Sequence, residues 1–237
     1  MKNLMVYTRA NQKFTEEVET LVKIQVDNSL DLGWKSSDII LVTNFPYEYN
    51  GVKSLVIPDT SCKWDHTINK LPAIVYLLKN NLLPDDVIWY HDFDAYQELS
   101  VEMDVKLAFT TYGYKPQWNC GSFFFNPSEQ DIFDFWWSKI HKRSRADELI
   151  LTSLTRSGEI NADRYISLDV DYNYNQIIYA IKKYDKVVPK VLHFHPNYTF
   201  HRSTETNLDI FMYGKSWKKK PIMSDRLIKI FHHHGIK

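Results

Sequence analysis

Two aspartates near the middle of the chain follow a short run of apolar residues. Residues 87–90 (VIWY) have the character of a strand buried on both faces, and Asp92 and Asp94 come just after it. Ligands of open α/β sheets bind beyond the carboxyl ends of the strands. In extended chain, residues i and i+2 point to the same side, so these two like charges would repel each other unless a cation lay between them. Carboxylate oxygens suit Mg²⁺ or Mn²⁺, and the sequence therefore predicts a divalent-metal site.

The same spacing of aspartates occurs a second time, at Asp169 and Asp171, again after a partly apolar stretch. Spacing alone is therefore a weak indicator of a metal site. The uninterrupted apolar run before Asp92 favours the first pair as metal ligands.

Histidines far downstream are candidates for a third metal ligand. Residues 191–194 (VLHF) predict a strand, and on such a strand His193 and His195 share one face. An imidazole added to two carboxylates favours Mn²⁺ over Mg²⁺. Two histidines hydrogen-bonded at the end of a strand remain the alternative interpretation. His91 is a weaker candidate, because on a strand its side chain alternates away from that of Asp92.

The elements that must position these residues alternate along the first half of the chain, as in a parallel sheet covered by helices. Apolar runs and helical spacing predict strands over 4–8, 39–42, 55–57 and 87–90, and helices over 15–30 and 67–79. The less regular second half predicts strands over 107–110, 122–125 and 191–194, and helices over 126–140 and 146–157. The last helix is expected to stop at Gly158. Because no linker composition interrupts the chain, we expect one continuous domain over 1–237.

Composition excludes several classes of protein. The 29 basic and 29 acidic side chains balance, which argues against a dedicated nucleic-acid-binding protein. The two cysteines form no CxxC pair and fit a reducing compartment. No run approaches the length of a membrane-spanning helix, and the apolar run at the start is too short for a signal peptide, so neither is expected. Aromatic residues make up 15% of the chain and serve either to contact sugars or bases or to fill the core.

Taken in order, these features resemble the GT-A type of metal-dependent glycosyltransferase, which uses a nucleotide-sugar donor. The resemblance covers roughly residues 1–217 and rests on the order of several weak motifs. These motifs are Thr8-Arg9 after the first strand, Asn69-Lys70-Leu71 in a helix, Asp92-Phe93-Asp94, Asn119-Cys120-Gly121-Ser122 before three phenylalanines, Asp147-Glu148, the segment from Leu168 to Asn173, and Leu192-His193-Phe194.

The resemblance implies a fold and a set of binding residues. The fold is a single GT-A (Rossmann-like) α/β domain, with a mostly parallel central sheet flanked by helices and a smaller mixed sheet on the acceptor side. It implies a nucleotide-binding half over about 1–95, an acceptor half over about 96–217 and a basic, solvated C-terminal tail over 218–237. The implied ligands of Mn²⁺ or Mg²⁺ are Asp92, Asp94 and His193. The implied donor-binding residues are Thr8, Arg9, Lys70, Asp92, Asn119 and Gly121.

One part of the pattern departs from the related families. Pro196 stands where they have a glycine shortly after the metal histidine, and the nearest match to their phosphate-binding lysine is Lys215, much further along the chain. The intervening segment 197–213, which contains His201 and Arg202, is expected to be a surface insertion, with a lid over the site as the alternative.

The chemistry depends on whether the anomeric configuration is inverted or retained. An inverting reaction needs a carboxylate that removes the acceptor proton, and a retaining reaction does not. The candidate carboxylates are Asp147, Glu148, Asp169 and Asp171. The candidates for an aromatic acceptor platform are Tyr112, Trp118, Tyr172 and Tyr174.

The resulting hypothesis is a glycosyltransferase that moves a sugar from a nucleotide sugar, with UDP favoured over GDP, to a hydroxyl of a glycan or glycoconjugate acceptor. We expect it to act in the cytoplasm, where nucleotide sugars are made. A nucleotidyltransferase is an alternative, although residues 8–12 (TRANQ) lack the glycine-rich phosphate loop that it would use. A non-catalytic carbohydrate-binding protein and a zinc hydrolase built on His193, His195 and His201 are further alternatives.

Overall fold

The computed structural model describes residues 1–62, 68–113, 117–140, 147–175, 178, 186–193 and 223–236. Strands and helices alternate through the first half, as predicted. The strands are β1 (Lys2–Tyr7), β2 (Ile39–Thr43), β3 (Glu48–Tyr49), β4 (Val52–Lys53), β5 (Leu55–Val56), β6 (Ile88–His91), β7 (Ala95–Gln97), β8 (Leu107–Thr111), β9 (Trp118–Phe125), β10 (Ile166–Ser167), β11 (Tyr174–Asn175) and β12 (Val191–His193). The helices are α1 (Glu16–Asp31), α2 (Lys70–Lys79), α3 (Gln130–Lys139), α4 (Asp147–Ser157) and α5 (Asp225–His233). Short 3-10 turns cover Ser36–Asp38, Pro127–Glu129 and Val170–Asn173.

Seven strands form the central sheet, in the spatial order β10-β8-β9-β6-β1-β2-β5. Only β9 runs antiparallel to its neighbours β8 and β6, and the other adjacent pairs are parallel. A smaller sheet of three strands is mixed, because β12 pairs parallel with β11 and antiparallel with β7. The predicted fold class, a mostly parallel central sheet with a smaller mixed sheet, is confirmed.

Helices cover both faces of the central sheet, which explains why its strands are continuously apolar. On one face, buried residues of α2, α3 and α4 pack against alternate residues of the strands, including Leu4 and Val42. On the other face, α1 packs against Met5 and Leu41. Thr15 caps α1 by accepting a hydrogen bond from the backbone N–H of Val18, with acidic residues in the first turn.

Several boundaries differ from the sequence-based prediction. Strand β9 begins at Trp118, four residues before the predicted start, because Asn119 and Gly121 interrupt the apolar pattern in its first half. Helix α2 begins at Lys70, after the predicted start at 67. The predicted stop of α4 is confirmed, since Gly158 has a φ of 77°. Many of the aromatic side chains fill the core, as the ring contacts among Phe123, Phe125 and α3 illustrate.

The C-terminal segment differs most from the prediction. Residues 225–233, expected to belong to a solvated tail, form α5, which packs on α1. Leu227 and Phe231 are fully buried, and their spacing of four residues places them on one helix face. The segment was misjudged because a basic run at 218–220 precedes it and a histidine run at 232–234 ends it, and the apolar spacing of Leu227 and Phe231 between them was not considered. The basic residues 218–220 lie outside the described residues. No helix in the described part of the chain is long and apolar enough to cross a membrane.

Candidate active site

A cavity of about 500 Å³ opens beyond the carboxyl ends of β1 and β6, where the sheet rule predicts a ligand site. It brings together residues from both halves of the chain. Its polar lining consists of Tyr7, Thr8, Arg9, Asn69, Lys70, Tyr90, Asp92, Asp94, Tyr112, Asp147, Glu148 and His193. Four carboxylates and two basic side chains leave a formal excess of negative charge, which favours binding of a cation.

Asp92 and Asp94 lie in the turn between β6 and β7, not in extended chain as predicted. The backbone N–H of Ala95 donates to the carbonyl of Asp92 at 3.1 Å and closes this turn. The turn reverses the direction of the chain, so that β7 leaves the central sheet and enters the small one. Both carboxylates still face the cavity, because the turn lies directly at its mouth.

Strand β12 places His193 beside these aspartates. In the antiparallel pairing of β12 with β7, His193 is opposite Ala95, the residue that follows Asp94. The Nε2 atom of His193 lies 3.3 Å from Oδ1 of Asp94. One ligand atom from each of Asp92, Asp94 and His193 lies within 4.8 Å of the other two.

A chain of hydrogen bonds fixes the tautomer of His193. The hydroxyl of Thr110 lies 2.9 Å and 2.8 Å from two backbone carbonyls, so it donates to a carbonyl and accepts from Nδ2 of Asn173 at 2.8 Å. The amide oxygen of Asn173 must then face Nδ1 of His193, at 3.0 Å. Since an amide oxygen only accepts, Nδ1 of His193 carries a proton, and in the neutral ring the nitrogen available as a metal ligand is Nε2.

The same network is compatible with a metal ion. Nε2 of His193 lies 3.3 Å from Oδ1 of Asp94, a distance that suits an ion pair with a protonated ring and also suits two ligand atoms of one cation. A histidine held through its other nitrogen is the usual arrangement of a metal ligand. Two carboxylates with one imidazole suit Mn²⁺ better than the all-oxygen sites typical of Mg²⁺.

Gly121 is a glycine because the imidazole of His193 lies against its backbone. A Cβ atom at this position would lie 2.2 Å from Cε1 and 2.7 Å from Nδ1 of His193. The same residue accepts a hydrogen bond from the backbone N–H of Asp92 at 2.8 Å, and its own N–H donates to Asn119 Oδ1 at 2.8 Å. Gly121 therefore contacts both His193 and the turn that carries Asp92 and Asp94, and Asn119 holds Gly121 in place. Neither Gly121 nor Asn119 lines the cavity.

We expect Gly121→Ala to weaken Mn²⁺ binding by at least about tenfold, because the added methyl group forces the His193 ring to move. Titration of Mn²⁺ followed by electron paramagnetic resonance measures this change. His193→Ala provides the control, since it removes the ring. Gly121→Ala should destabilise the fold in urea much less in that background than in the wild type. Equal losses in the two backgrounds would show that the glycine is needed for another reason.

Lys70 lies at the start of α2, between two carboxylates. Its ammonium is 3.3 Å from Oδ2 of Asp147 and 3.4 Å from Oδ2 of Asp92. Burial alone would lower the pKa of Lys70, but the two carboxylates hold that pKa well above its ordinary value. Burial raises the pKa of Asp147, and Lys70 opposes this effect. Tyr90 adds a hydrogen bond from its hydroxyl to Asp92, so the aspartate has a fixed orientation.

Two hydrogen bonds hold the carboxylate of Glu148. The hydroxyl of Tyr112 donates to one oxygen at 2.7 Å, and the backbone N–H of Cys120 donates to the other at 3.0 Å. Burial and the neighbouring carboxylates raise the pKa of the Cys120 thiol, so this cysteine is not a thiolate nucleophile. Both carboxylate oxygens of Glu148 therefore already have donors within the protein.

The loop after β1 forms the opposite wall of the cavity. Asn44 holds it, since its amide donates to the carbonyl of Arg9 at 2.7 Å and accepts from the N–H of Arg9 at 3.0 Å. Asn69 donates to the carbonyl of Thr8 at 3.0 Å. The guanidinium of Arg9 lies 5.2 Å from the centre of the Tyr7 ring. The sequence analysis assigned no role to Asn44, and it named Asn69 only as part of a helix motif and did not predict its hydrogen bond to Thr8.

Several residues that the sequence predicted for the site do not line the cavity. Asp171 pairs with Lys190 at 2.9 Å, and neither Asp171 nor Asp169 lines the cavity. Of the four candidate platform aromatics, only Tyr112 lines it, since Trp118 and Tyr174 are buried and Tyr172 packs against Phe124. His91 is buried, with Nε2 at 2.8 Å from Asn3 Oδ1, and does not reach the cavity. The remaining predicted residues, Lys215, His195, His201 and Arg202, lie outside the described residues.

No family model matches the chain, and no curated protein sequence matches it. Solved structures do show the same fold. The glycosyltransferase GlyE of Streptococcus pneumoniae TIGR4 has a TM-score of 0.55 at 14% identity, with coverage of 100% of this chain. The chain spans 61% of the length of GlyE.

Two further structures match over most of their own length. The galactosyltransferase LgtC, in complex with donor and acceptor sugar analogs, has a TM-score of 0.55 at 11% identity, over 99% of this chain and 95% of LgtC. A glycosyltransferase involved in the glycosylation of the major capsid of PBCV-1 has a TM-score of 0.53 at 12% identity, over 81% of this chain and 93% of that enzyme. At these identities the likeness concerns the fold, and the prediction of a GT-A fold is confirmed.

Proposed function

We propose that this protein transfers a sugar from a nucleotide-sugar donor, with UDP as the favoured nucleotide, to a hydroxyl group of a glycan or glycoconjugate acceptor. The observation that carries the proposal is the meeting of Asp92, Asp94 and His193 in the lining of the cavity. The aspartates share one turn, the histidine comes from a strand about 100 residues later, and their donor atoms fit a divalent cation. The GT-A fold supports the reaction class by analogy.

In this proposal Asp92, Asp94 and His193 hold Mn²⁺, or Mg²⁺ as the alternative. When bound, the ion supplies electrostatic stabilisation of a leaving nucleoside diphosphate. Neighbouring side chains orient His193 and Asp92 before a ligand binds. Asn173 keeps the Nε2 lone pair of His193 directed at the cavity, and Tyr90 with Lys70 orients Asp92.

Arg9 and Lys70 are the basic residues of the described cavity lining, and we assign them to the phosphates of the donor. Lys70 is buried and bound on two sides, so its charge is fixed in place before a ligand enters. Thr8 lies beside them, at the end of β1, where the nucleotide would enter. In the same proposal residues 1–95 serve the nucleotide and residues 96–217 serve the acceptor.

Asp147 and Glu148 are better suited to positioning than to removing a proton. Asp147 binds Lys70, and its other oxygen accepts from the N–H of Glu148 at 2.9 Å. Glu148 accepts from Tyr112 and Cys120. A general base needs an accessible oxygen within reach of the acceptor hydroxyl, whereas both oxygens of Glu148 accept hydrogen bonds and Oδ2 of Asp147 is buried against Lys70. This arrangement favours a reaction that needs no carboxylate base.

A panel of nucleotides tests the function. Melting temperature is measured with UDP, GDP and a set of their sugar conjugates, each with and without Mn²⁺. We expect one UDP-sugar with Mn²⁺ to stabilise the fold more than either component alone, and then to release UDP when an acceptor is added. Cytosolic action belongs to the same proposal, since the donors are made there.

Each alternative function predicts a different experimental result. A nucleotidyltransferase would release pyrophosphate from a nucleoside triphosphate and a sugar phosphate. A carbohydrate-binding protein would be stabilised by a glycan without nucleotide or metal. A zinc hydrolase would show no dependence on Mn²⁺. Any of these outcomes, without release of a nucleoside diphosphate, would overturn the proposed transfer.

A further inference from the structure

A second group of metal-ligating side chains lies away from the donor cavity, where α5 packs on α1. The group consists of Asp27 on α1, His233 at the last position of α5 and His234 next to it. One ligand atom from each lies within 4.8 Å of the other two. Nε2 of His234 is 2.8 Å from Oδ2 of Asp27, and the rings of His233 and His234 are 5.1 Å apart at 82°.

The backbone positions of these ligands are held firmly. Leu227 and Phe231 of α5 are fully buried in a cluster that includes Ile24 of α1. Arg226 donates to Asn28 at 2.7 Å and pairs with Asp31 at 3.1 Å, so a polar contact joins the same two helices. The two elements that supply the ligands therefore have a fixed separation, and a metal ion would not have to assemble them.

Two further side chains fix the orientation of the Asp27 carboxylate. The hydroxyl of Tyr49 donates to Oδ2 at 3.0 Å, and the amide of Asn50 donates to Oδ1 at 2.6 Å. Such outer partners fix the direction of a ligating carboxylate and increase metal affinity. A salt bridge alone needs only one imidazole, whereas this site places a second, exposed imidazole, that of His233, next to the first.

We propose that Asp27, His233 and His234 form a second metal site, which takes Zn²⁺ or a similar borderline transition-metal ion. Two imidazoles and one carboxylate are the ligands that such ions prefer over Mn²⁺ and Mg²⁺. Tetrahedral zinc with bonds of about 2.0 Å separates its ligand atoms by about 3.3 Å, so Nε2 and Oδ2 need to move apart only slightly. The proton on Nε2 of His234 leaves to solvent when the ion binds.

A cavity of about 400 Å³ beside His233 has room for a water molecule as the fourth ligand. Arg226 and Lys229 line that cavity and weaken the attraction for a cation, and Asp31 offsets part of this effect. The site would link the C-terminal helix to α1, whose residues Val18 and Leu21 line the donor cavity. Its role is therefore a structural clamp, and it does not depend on the proposed transfer reaction.

The test is a titration of untagged, chelator-treated protein with Zn²⁺ alone, followed by calorimetry and by melting temperature. Asp94→Asn is used as the background, because it disables the donor site as a competing metal site. We expect one zinc ion to bind and to raise the melting temperature. His233→Gln should weaken binding by at least about tenfold, as should Asp27→Asn.

His232→Gln is the matched control, since His232 is exposed, adjacent in sequence and not part of the group. It should bind zinc as the background protein does. Co²⁺ in place of Zn²⁺ should give the visible absorption of a tetrahedral site, lost in His233→Gln. If His232→Gln and His233→Gln bind zinc equally, or if the Asp94→Asn protein binds none, the second site does not exist and Asp27 forms only a hydrogen-bonded pair with His234.

Discussion

Asp94→Asn is expected to lower kcat/KM for release of nucleoside diphosphate from the donor by about 10³-fold, at fixed Mn²⁺. Asp94 is 8% exposed and its Oδ1 lies 3.3 Å from Nε2 of His193, so in the proposed function its charge contributes directly to the cation site. Asparagine keeps the shape of the side chain and removes the anionic ligand. A bound metal supplies several kcal/mol of transition-state stabilisation, which corresponds to a loss of this size.

The measurement compares this variant with Asp104→Asn, which makes the same chemical change at an exposed aspartate. Asp104→Asn should keep wild-type activity, and both variants should have the same midpoint in urea to within a small shift. Removal of metal with a chelator should reproduce the loss in the wild type and add little to it in Asp94→Asn. Wild-type activity in Asp94→Asn would remove Asp94 from the metal site.

Much of the fold follows from patterns that are local in sequence. The apolar runs of β1, β2 and β6 and the helical spacing in α1 and α2 were sufficient for a parallel sheet covered by helices. The first half of β9 escaped prediction because Asn119 and Gly121 have low strand propensity, and their roles depend on contacts with residues outside the strand. A register shift between Phe109 and Thr110, opposite this part of β9, has no local signal either.

The candidate site could be predicted only in part, because hydrogen bonds between residues far apart in the chain produce no periodic pattern in the sequence. The position of Asp92 and Asp94 follows from the sheet rule, although the turn that carries them contains no glycine, proline or asparagine. The strand pattern proposed both His193 and His195 as the third ligand, and the family resemblance selected His193. The role of Asn173 is set by bonds to Thr110, 63 residues away, and to His193, 20 residues away. Only the folded chain brings these three side chains together.

The aspartate pair shows why a correct prediction can rest on an incorrect geometry. An extended strand and a reverse turn both direct carboxylates i and i+2 toward a common site, but the turn also redirects the chain into β7. That change of direction creates the partner strand for β12 and so delivers His193 to Asp94. The third ligand therefore depends on the turn that sequence reasoning did not foresee.

Lys70→Met is expected to lower the free energy of unfolding by about 3–5 kcal/mol, measured by urea denaturation at neutral pH. Methionine fills a similar space but leaves the carboxylate of Asp147, which is 4% exposed, without its counter-charge. Lys79→Met is the matched control on the same helix. Lys79 pairs with Asp134 at 3.2 Å but its side chain is 54% exposed, so its loss should cost at most about 1 kcal/mol.

The dependence of this loss on pH identifies the responsible carboxylate. Burial raises the pKa of Asp147 above its ordinary value of 3.8, so the folded variant holds a proton that the unfolded chain has released. Stability of Lys70→Met should therefore fall as pH rises above about 4 and recover on acidification. Adding Asp147→Asn to Lys70→Met removes the buried charge, and the double variant should lose less stability than the sum of the single losses, by about 1–3 kcal/mol. Additive losses, or equal costs for Lys70→Met and Lys79→Met, would show that Lys70 acts in the fold as an ordinary surface cation and not as the fixed charge of the cavity.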